Sequence, residues 1–356
     1  MPVKPLHVVH IIPTLTFGGA ERFVVDLVNA SDPKKIRFTI ITLFHTLSLA
    51  SEILPGQTEV VVVEKKGKVS LSLFGALRRE LIRLQPDVVH THLFGGDFWG
   101  RVAAHQLGIP VVTTEHNTNV DESVLKRFLK RRLRNWTHTY TAYSQAVLDF
   151  AKSAYQIPEV KMIRIGVPLA KFQLLAPKFS SPTRFLFLGR LEPQKGHHIA
   201  LEALQKIQRL DWSLTIVGEG SREAELRRLV SDLGLEKQVR FLPPTGEVVQ
   251  LLKQSDVLLL SSLWEGLGIV VMEAMAAGRL VVASRVGGIP ELIDDQKNGL
   301  LSTAGSVSEL SELLTWVMEH PSEVKVLAKK AQEKARANFG VERMAKEYQE
   351  LYTKIV

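Results

Sequence analysis

Asp256-Val-Leu-Leu-Leu-Ser-Ser262, followed two residues later by Glu265-Gly-Leu-Gly-Ile-Val-Val-Met-Glu273-Ala-Met-Ala276, is the stretch that decides how this chain reads. The first part is a short apolar run with the look of a buried strand. The second carries two glycines and then an Ala/Met-rich helix. A glycine loop entering a helix lets backbone N–H groups come close to a phosphate, and the helix N-terminus favours negative charge there. Carboxylates repel phosphate, so Glu265 and Glu273 suit another purpose, accepting hydrogen bonds from hydroxyls. Phosphate beside two hydroxyl-binding groups describes a sugar nucleotide. The plainer reading is a strand–loop–helix corner with a solvated Glu265 and a Glu273 on a wet helix face. On this stretch alone both stand.

Composition bounds the rest. A chain of 356 residues implies two domains, since single cores stop growing at about 250–300 residues. Hydrophobic residues make up 45% and the mean hydropathy is +0.06, values of an ordinary soluble globule. Cysteine is absent. That excludes disulfides and thiolate metal sites and fits a reducing compartment, so a cytoplasmic location is expected. The first residues, Met1-Pro-Val-Lys-Pro-Leu-His-Val-Val-His-Ile-Ile-Pro13, hold only a short apolar run that enters a Gly-Gly loop. They read as a first strand and not as a signal peptide. No apolar run approaches the roughly 18 residues of a spanning helix.

The net charge of +8 is unevenly placed. Residues 1–170 hold 21 Lys+Arg against 14 Asp+Glu, or +7; the remainder holds 24 against 23, or +1. The excess is densest in Lys126-Arg-Phe-Leu-Lys-Arg-Arg-Leu-Arg134. On a helix, Phe128, Leu129 and Leu133 gather on one face and the basic residues spread around them. Lys126, Arg127, Lys130, Arg131 and Arg134 are therefore candidates for contact with an anionic membrane or a phosphorylated acceptor. A merely solvated helix is the alternative. Nucleic acid is not expected, because no helix-turn-helix, RNP-like or zinc-finger pattern accompanies the charge.

Strands and helices alternate along the chain. Leu6–Ile12, Arg37–Leu43, Thr58–Val63, Pro86–Thr91, Pro110–Thr114 and Thr137–Ala142 read as strands, with helical segments between most of them. Near-continuous apolar strands of this kind belong to a parallel sheet buried on both faces. The pattern breaks at Leu174-Leu-Ala-Pro-Lys-Phe-Ser-Ser-Pro-Thr183, read as a linker. A second series starts at Arg184–Gly189 and continues through Trp212–Val217, Val239–Leu242, Val257–Leu260 and Leu280–Ala283. From Ser306 onward the pattern is helical. Two βαβ series predict an α/β protein with two doubly wound, Rossmann-like parallel-sheet domains.

Ligands of such sheets bind outside the carboxyl ends of the strands, and the unusual residues fall there. Gly18-Gly19 follows the first strand and permits close approach of a ligand; a plain tight turn is the alternative. The pair does not complete Gly-x-Gly-x-x-Gly, which disfavours a dinucleotide site. His90 and His92 end one strand. They are expected to face opposite ways, with no third histidine nearby, and so to be structural or cleft-lining and not metal ligands. His116, after Thr113-Thr-Glu115, is expected to project into a cleft. Arg190 is a fixed-charge bidentate donor and Lys195 a flexible point charge; together they suit a diphosphate. Gly218-Glu-Gly220 looks like another turn at the edge of a cleft. No Asp-x-Asp occurs anywhere, which argues against a diphosphate-chelating metal.

These residues resemble those of glycosyltransferase family 4, the large retaining group with the GT-B fold. The matching elements are Gly18-Gly19-Ala-Glu21, His116, Gly189-Arg190 with Lys195-Gly196, Val217-Gly-Glu-Gly220, Glu265 with Glu273, and Gly287-Gly-Ile-Pro-Glu-Leu292. They follow the family's order and spacing across almost the whole chain. The resemblance implies an N-terminal acceptor-side domain over 1–172 and a nucleotide-sugar-binding domain over 173–337. It also implies a helix over 338–356, including Tyr348 and Tyr352, that crosses back onto the first domain.

Roles follow residue by residue from the same resemblance. Arg190 and Lys195 would hold the diphosphate, and Glu273 the ribose hydroxyls. Glu265 would touch the transferred sugar, with backbone N–H groups at Leu267, Gly268 and Ile269 on sugar or phosphate. Gly19, beside Gly18, would lie against the diphosphate, and His116 against an outer sugar hydroxyl. The base would lie near Leu242. Phe241-Leu-Pro-Pro244 departs from the family's Phe-x-Gly there, which loosens any statement on base recognition. The family retains anomeric configuration by front-face departure and attack, with domain closure excluding water. No metal or cofactor is expected. His116, Glu265, Arg190 and Lys195 would form the catalytic set, on a UDP- or GDP-linked donor and a glycan or lipid-linked acceptor, in surface polysaccharide or lipid-linked oligosaccharide synthesis. A non-catalytic partner subunit of the same fold and a sugar-nucleotide epimerase are the rivals.

Overall fold

The computed structural model describes residues 4–65, 71–173, 175–207 and 211–356. Met1 to Val3, at the head of the first expected strand segment, and Leu174, the first residue of the expected linker, lie outside the described residues. The chain divides into two compact units, Met1–Gly166 with Val341–Val356, and Val167–Gly340.

The first unit is a parallel seven-stranded sheet. Its strands are β1 (Leu6–Ile12), β2 (Ile36–Thr42), β3 (Thr58–Val62), β4 (Val88–His92), β5 (Val111–Glu115), β6 (Thr139–Ala142) and β7 (Lys161–Met162), in the order β3-β2-β1-β4-β5-β6-β7. The apolar runs of β1, β2, β4 and β5 are buried nearly throughout, as strands covered on both faces require. The covering helices are α1 (Gly19–Ala30), α2 (Leu71–Leu84), α3 (Leu93–Gln106), α4 (Val124–Leu133) and α5 (Gln145–Tyr155). Leu73, Leu77, Leu81 and Leu84 of α2 recur at helical spacing and pack with Val9, Ile11, Val89 and Ala104 into one core.

The second unit repeats the plan with six parallel strands. They are β8 (Thr183–Leu188), β9 (Trp212–Val217), β10 (Val239–Leu242), β11 (Val257–Leu260), β12 (Leu280–Ser284) and β13 (Leu300–Ser302), ordered β10-β9-β8-β11-β12-β13. Its helices are α6 (His197–Lys206), α7 (Glu223–Asp232), α8 (Val248–Gln254), α9 (Ile269–Ala276), α10 (Ile289–Leu292), α11 (Val307–Glu319) and α12 (Pro321–Asn338). Asp256, fully buried at the head of β11, accepts from the Arg184 N–H and Nε and from Ser180 Oγ at 2.9–3.0 Å. It ties β8 to β11, its neighbour in the sheet.

The last helix, α13 (Val341–Ile355), belongs to the first unit. Val341, Met344, Ala345, Tyr348, Leu351 and Tyr352 are buried, the stripe of a helix lying on a core. Strand ends differ from the sequence reading by one or two residues. β7 and β13 had not been expected, because two- and three-residue strands carry too little pattern to register.

Candidate functional site

Each sheet reverses its strand order once, between β1 and β4 in the first unit and between β8 and β11 in the second. The loops leaving those strands are where a ligand of a doubly wound sheet sits.

In the second unit the loop after β8 carries Arg190 and Lys195, and the loop after β11 carries Glu265 to Gly268. Close backbone packing holds them together. Gly196 has φ +62°, and a Cβ there would strike the Ser261 carbonyl; Ser261 Oγ donates back to the Gly196 carbonyl at 2.7 Å. Gln194 Nε2 donates to the Trp264 carbonyl at 2.8 Å, and Arg190 donates to Gln194 Oε1 at 3.1 Å. Lys195 Nζ donates to Glu265 Oε1 at 2.5 Å, and Ser262 Oγ donates to the same oxygen at 2.7 Å. Glu265 is buried, so the anion sits among donors and not in water.

Gly287 (φ +51°) backs this loop. A side chain on it would collide with the Glu265 carbonyl, and the neighbouring Gly288 N–H donates to the Gly266 carbonyl at 3.1 Å. Gly268, at φ +87°, turns the chain into α9. The first-turn N–H groups of an α-helix lack intrahelical partners, so Ile269 opens α9 with donors at the positive end of its dipole. Glu273 is buried one turn further in. Leu242 ends β10 half-buried, and its carbonyl accepts from the Gly218 N–H at 3.1 Å. Arg190, Lys195, Glu265, Leu267, Gly268, Ile269 and Glu273 thus sit on two adjoining loops and one helix start, with Leu242 at the end of a strand of the same sheet.

In the first unit Gly18 caps α1 and Gly19 opens it. A Cβ on Gly18 would run into the Glu21 carboxylate, which also accepts from Thr14 Oγ1 at 3.1 Å. His116 follows β5. Its carbonyl accepts from the Tyr143 hydroxyl, and the residue lines a cavity of about 180 Å³ shared with Asp97, Glu115, Asn117, Glu122 and Lys126. Burial drives the His116 pKa down to about 3, with Lys130 adding to the effect, so the ring is neutral at ordinary pH.

The basic helix does not present all its charge. Lys130 turns inward, donating to Glu115 Oε2 at 2.8 Å and lying over the Tyr155 ring. Burial opposes its charge, but Glu115, Tyr155, Asp97 and Glu122 outweigh burial and hold its pKa above the usual lysine value. Lys130 therefore leaves the membrane-facing set named from the sequence: an ammonium in a buried ion pair meets no lipid. Arg131 Nε donates to the Ala154 carbonyl at 2.7 Å and Arg134 to Gln156 Oε1 at 3.1 Å. Among the exposed side chains are Lys126 and Arg132, beside Val124, Leu125 and Phe128.

One cluster escaped the sequence reading. His90 and His92 face the same way, since residues two apart share a strand face, with ring centroids 4.2 Å apart. A third histidine does stand beside them: His10 pairs with His90 in the β1–β4 register. The signal was present in the equal distance of both histidines from their strand ends. The buried Asp97–Arg101 pair was also missed; on α3 these residues are four apart, a helical ion-pair spacing.

With this geometry in view, the chain's relatives can be placed. The model of the glycosyltransferase family 4 domain matches residues 17–171, and that of glycosyl transferases group 1 matches 176–334. The chain belongs to this glycosyltransferase family. The amylovoran biosynthesis glycosyltransferase AmsK of Erwinia amylovora is 32% identical over 192 residues, covering 51% of this chain and 47% of that protein. The Escherichia coli UDP-Gal:alpha-D-GlcNAc-diphosphoundecaprenol alpha-1,3-galactosyltransferase is 26% identical over 82% of this chain and 80% of its own length. In fold, the chain is similar to the crystal structure of Anabaena HepE in complex with UDP and glucose, with TM-score 0.84, 21% identity and coverage of 98% and 100%. Both parallel-sheet units are those of a GT-B glycosyltransferase.

Proposed function

We propose that this protein is a metal-independent, retaining glycosyltransferase. It moves a sugar from a UDP- or GDP-linked donor to a glycan or lipid-linked acceptor in the synthesis of a surface polysaccharide or lipid-linked oligosaccharide. The observation that carries the reading is the Lys195–Glu265 pair beside Arg190 and the start of α9. It puts cations and helix N–H donors next to a buried carboxylate. Cations and N–H groups suit the diphosphate, and carboxylates suit the hydroxyls of sugar and ribose.

The chemistry follows from those groups. As the glycosidic bond to the diphosphate breaks, negative charge grows on the leaving oxygen, and preorganised donors there lower the barrier. Arg190, Lys195 and the N-terminus of α9 are those donors. The leaving diphosphate then takes the acceptor's proton from the same face, which retains configuration without a carboxylate nucleophile. Glu273 holds the ribose, Glu265 the transferred sugar, and neutral His116 an outer hydroxyl. The names of AmsK and of the galactosyltransferase, which acts on a diphosphoundecaprenol-linked sugar, support the acceptor class.

No helix among the described residues is long and apolar enough to cross a membrane. A peripheral contact is proposed instead, through the exposed Val124, Leu125 and Phe128 flanked by Lys126, Arg127 and Arg132.

A thermal-shift screen with UDP-, GDP-, ADP- and TDP-sugars in EDTA, run beside Glu273→Ala, tests the reading. Stabilisation by one nucleotide, lost in the variant, is expected. Stabilisation only with added divalent metal overturns metal independence. No response to any donor favours the non-catalytic partner subunit, and interconversion of free sugar nucleotides favours the epimerase.

A further inference from the structure

Strands β1, β4 and β5 bring a row of imidazoles into line. His10 Nδ1 and His92 Nε2 share a hydrogen bond of 2.8 Å, and His92 Nδ1 and His116 Nε2 share one of 3.0 Å. His10 and His92 are wholly buried. The Phe23 ring packs against the His92 and His116 rings, with centroids 5.4–5.7 Å away. The two outermost nitrogens, His10 Nε2 and His116 Nδ1, are buried and have no hydrogen-bond partner. Of the two residues that end the row, His116 lines the cavity and His10 does not.

We propose that His92 and His10 act as positioning residues that lock His116 into one tautomer, with its proton on Nδ1, so that His116 offers an N–H to an outer hydroxyl of the transferred sugar. This rests on the reading of His116 as a sugar contact.

A neutral imidazole carries one N–H and one bare nitrogen. In a chain of neutral rings each bond needs one of each, so all the bonds must run in the same direction. The two ends are then opposite in kind: if His116 Nδ1 is bare, His10 Nε2 carries a hydrogen, and the reverse. His10 Nε2 is the end sealed in the core. Buried N–H groups without an acceptor are the rarer defect, whereas under-used acceptors are tolerated. His10 therefore keeps its bare nitrogen inward and donates from Nδ1 to His92 Nε2. His92 donates from Nδ1 to His116 Nε2. The remaining hydrogen is left on His116 Nδ1, on the end residue that lines the cavity, where a bound hydroxyl would supply the acceptor that His10 Nε2, sealed in the core, could never meet. Burial holds all three rings neutral, which the counting requires.

A cation held by His10, His90 and His92, one nitrogen from each lying within 4.8 Å of the others, is the competing use of the cluster. It fits less well. His90 is engaged at both nitrogens, with Tyr352 and Thr114 at 2.7 Å each, and His92 at both of its own. A metal would have to break those bonds, and none of the three groups supplies a negative charge to offset it.

Long-range proton–nitrogen NMR on the full-length protein, labelled at histidine nitrogen, reads the tautomer of each ring directly. His116 is expected as the Nδ1–H form. His92→Phe should shift His116 to an averaged mixture, and His92→Gln, whose amide both donates and accepts, should restore much of the bias. His10→Phe does not touch His116, yet should move the same signal. In turnover, His92→Phe should lower kcat roughly 10-fold with little change in the donor KM, since it disturbs orientation and not donor affinity. An Nε2–H His116 in the wild type, or a His116 tautomer indifferent to both phenylalanine variants, overturns the proposal. So does stoichiometric zinc binding that replaces the tautomer pattern with metal-bound signals. The NMR result stands whether or not sugar is transferred. An active donor site with the wrong tautomer sinks this proposal alone, and the expected tautomer without any donor binding sinks the glycosyltransferase reading alone.

Discussion

Lys195 Nζ and Glu265 Oε1 stand 2.5 Å apart across seventy residues of sequence, joined by the packing of Gly196 on the end of β11. In the donor site proposed above, the cation assigned to the diphosphate is paired, before donor arrives, with the carboxylate assigned to the sugar. Donor binding must exchange this contact for two others, so each residue's loss has a different signature. On the proposed function Lys195→Ala removes a donor to the leaving group and is expected to lower kcat about 10²- to 10³-fold. Glu265→Gln keeps the shape but releases Lys195, and should bind free nucleoside diphosphate as well as the wild type or better. Steady-state kinetics and calorimetry on the two variants check this; equal and full activity in both would remove them from the site.

Glu273 is buried one turn inside α9, and the proposed function gives its carboxylate to the ribose hydroxyls. Losing a hydrogen bond to a charged group costs about 1.5–3 kcal/mol, so Glu273→Ala should weaken nucleotide binding roughly 10- to 100-fold. Its melting temperature without ligand should stay close to wild type. Calorimetric titration measures the first and a melting curve the second.

Gly287 has no room to change. Its φ of +51° disfavours a side chain, and a Cβ would overlap the Glu265 carbonyl. Gly287→Ala should displace the 265–268 loop and abolish measurable donor stabilisation. Gly305, at φ +81° with nothing near its Cβ position, is the control: Ala there adds only the backbone strain of about 1 kcal/mol. Comparable donor responses in the two variants would show that the loop tolerates displacement.

The residues legible in the sequence were those whose chemistry is local. Gly268 between a strand and a helix, the burial of Val257 to Leu260 and the helical pattern from Ser306 onward each follow from neighbours a few positions away. Lys195 and Glu265 could be named for their types, but not as a pair, because only the β8–β11 adjacency joins them. His10 was passed over for the same reason: nothing near residue 10 says that β4 will lie beside β1. Lys130 was misplaced on the surface because a charge run reads as solvated until Glu115, on another strand, supplies its partner.

Asp97 and Arg101 form a buried ion pair on α3 that also reaches the Tyr140 hydroxyl at 2.6 Å. Arg101 is 1% exposed, so Asp97→Ala leaves a guanidinium in the core without a counter-charge. Breaking a buried pair this way costs about 3–5 kcal/mol, and a fall in melting temperature on the order of 10 °C is expected. The paired change Asp97→Leu with Arg101→Met should recover much of that loss. A calorimetric scan of both proteins decides; a double variant no better than the single would mean that the pair is tied to more than its own charges.

The histidine cluster sets how the first unit responds to acid. Burial lowers the pKa of His10 and His116 to about 3, and holds His90 and His92 well below the ordinary 6.5. In the unfolded chain all four take up protons as pH falls through 6.5, while in the folded unit they remain neutral. The unfolded state therefore binds more protons, and stability must fall with pH. The contribution is complete above about pH 7 and is lost progressively from 6.5 towards 3, by up to about 1.4 kcal/mol per pH unit for each histidine. Around the cluster stand Tyr348 and Tyr352, the Lys130 ammonium and the Glu115 carboxylate; the tyrosines stay neutral throughout this window because burial raises their pKa values. Urea unfolding followed at pH 7.5, 6.5 and 5.5 should show the midpoint dropping steeply between the last two. Replacing His10 with Phe, which removes one buried proton acceptor, should flatten the slope by about a quarter of the cluster's share. A midpoint unchanged between pH 7.5 and 5.5 would mean that the rings are solvated in the folded protein, and the tautomer lock on His116 would then have no dry core to rest on.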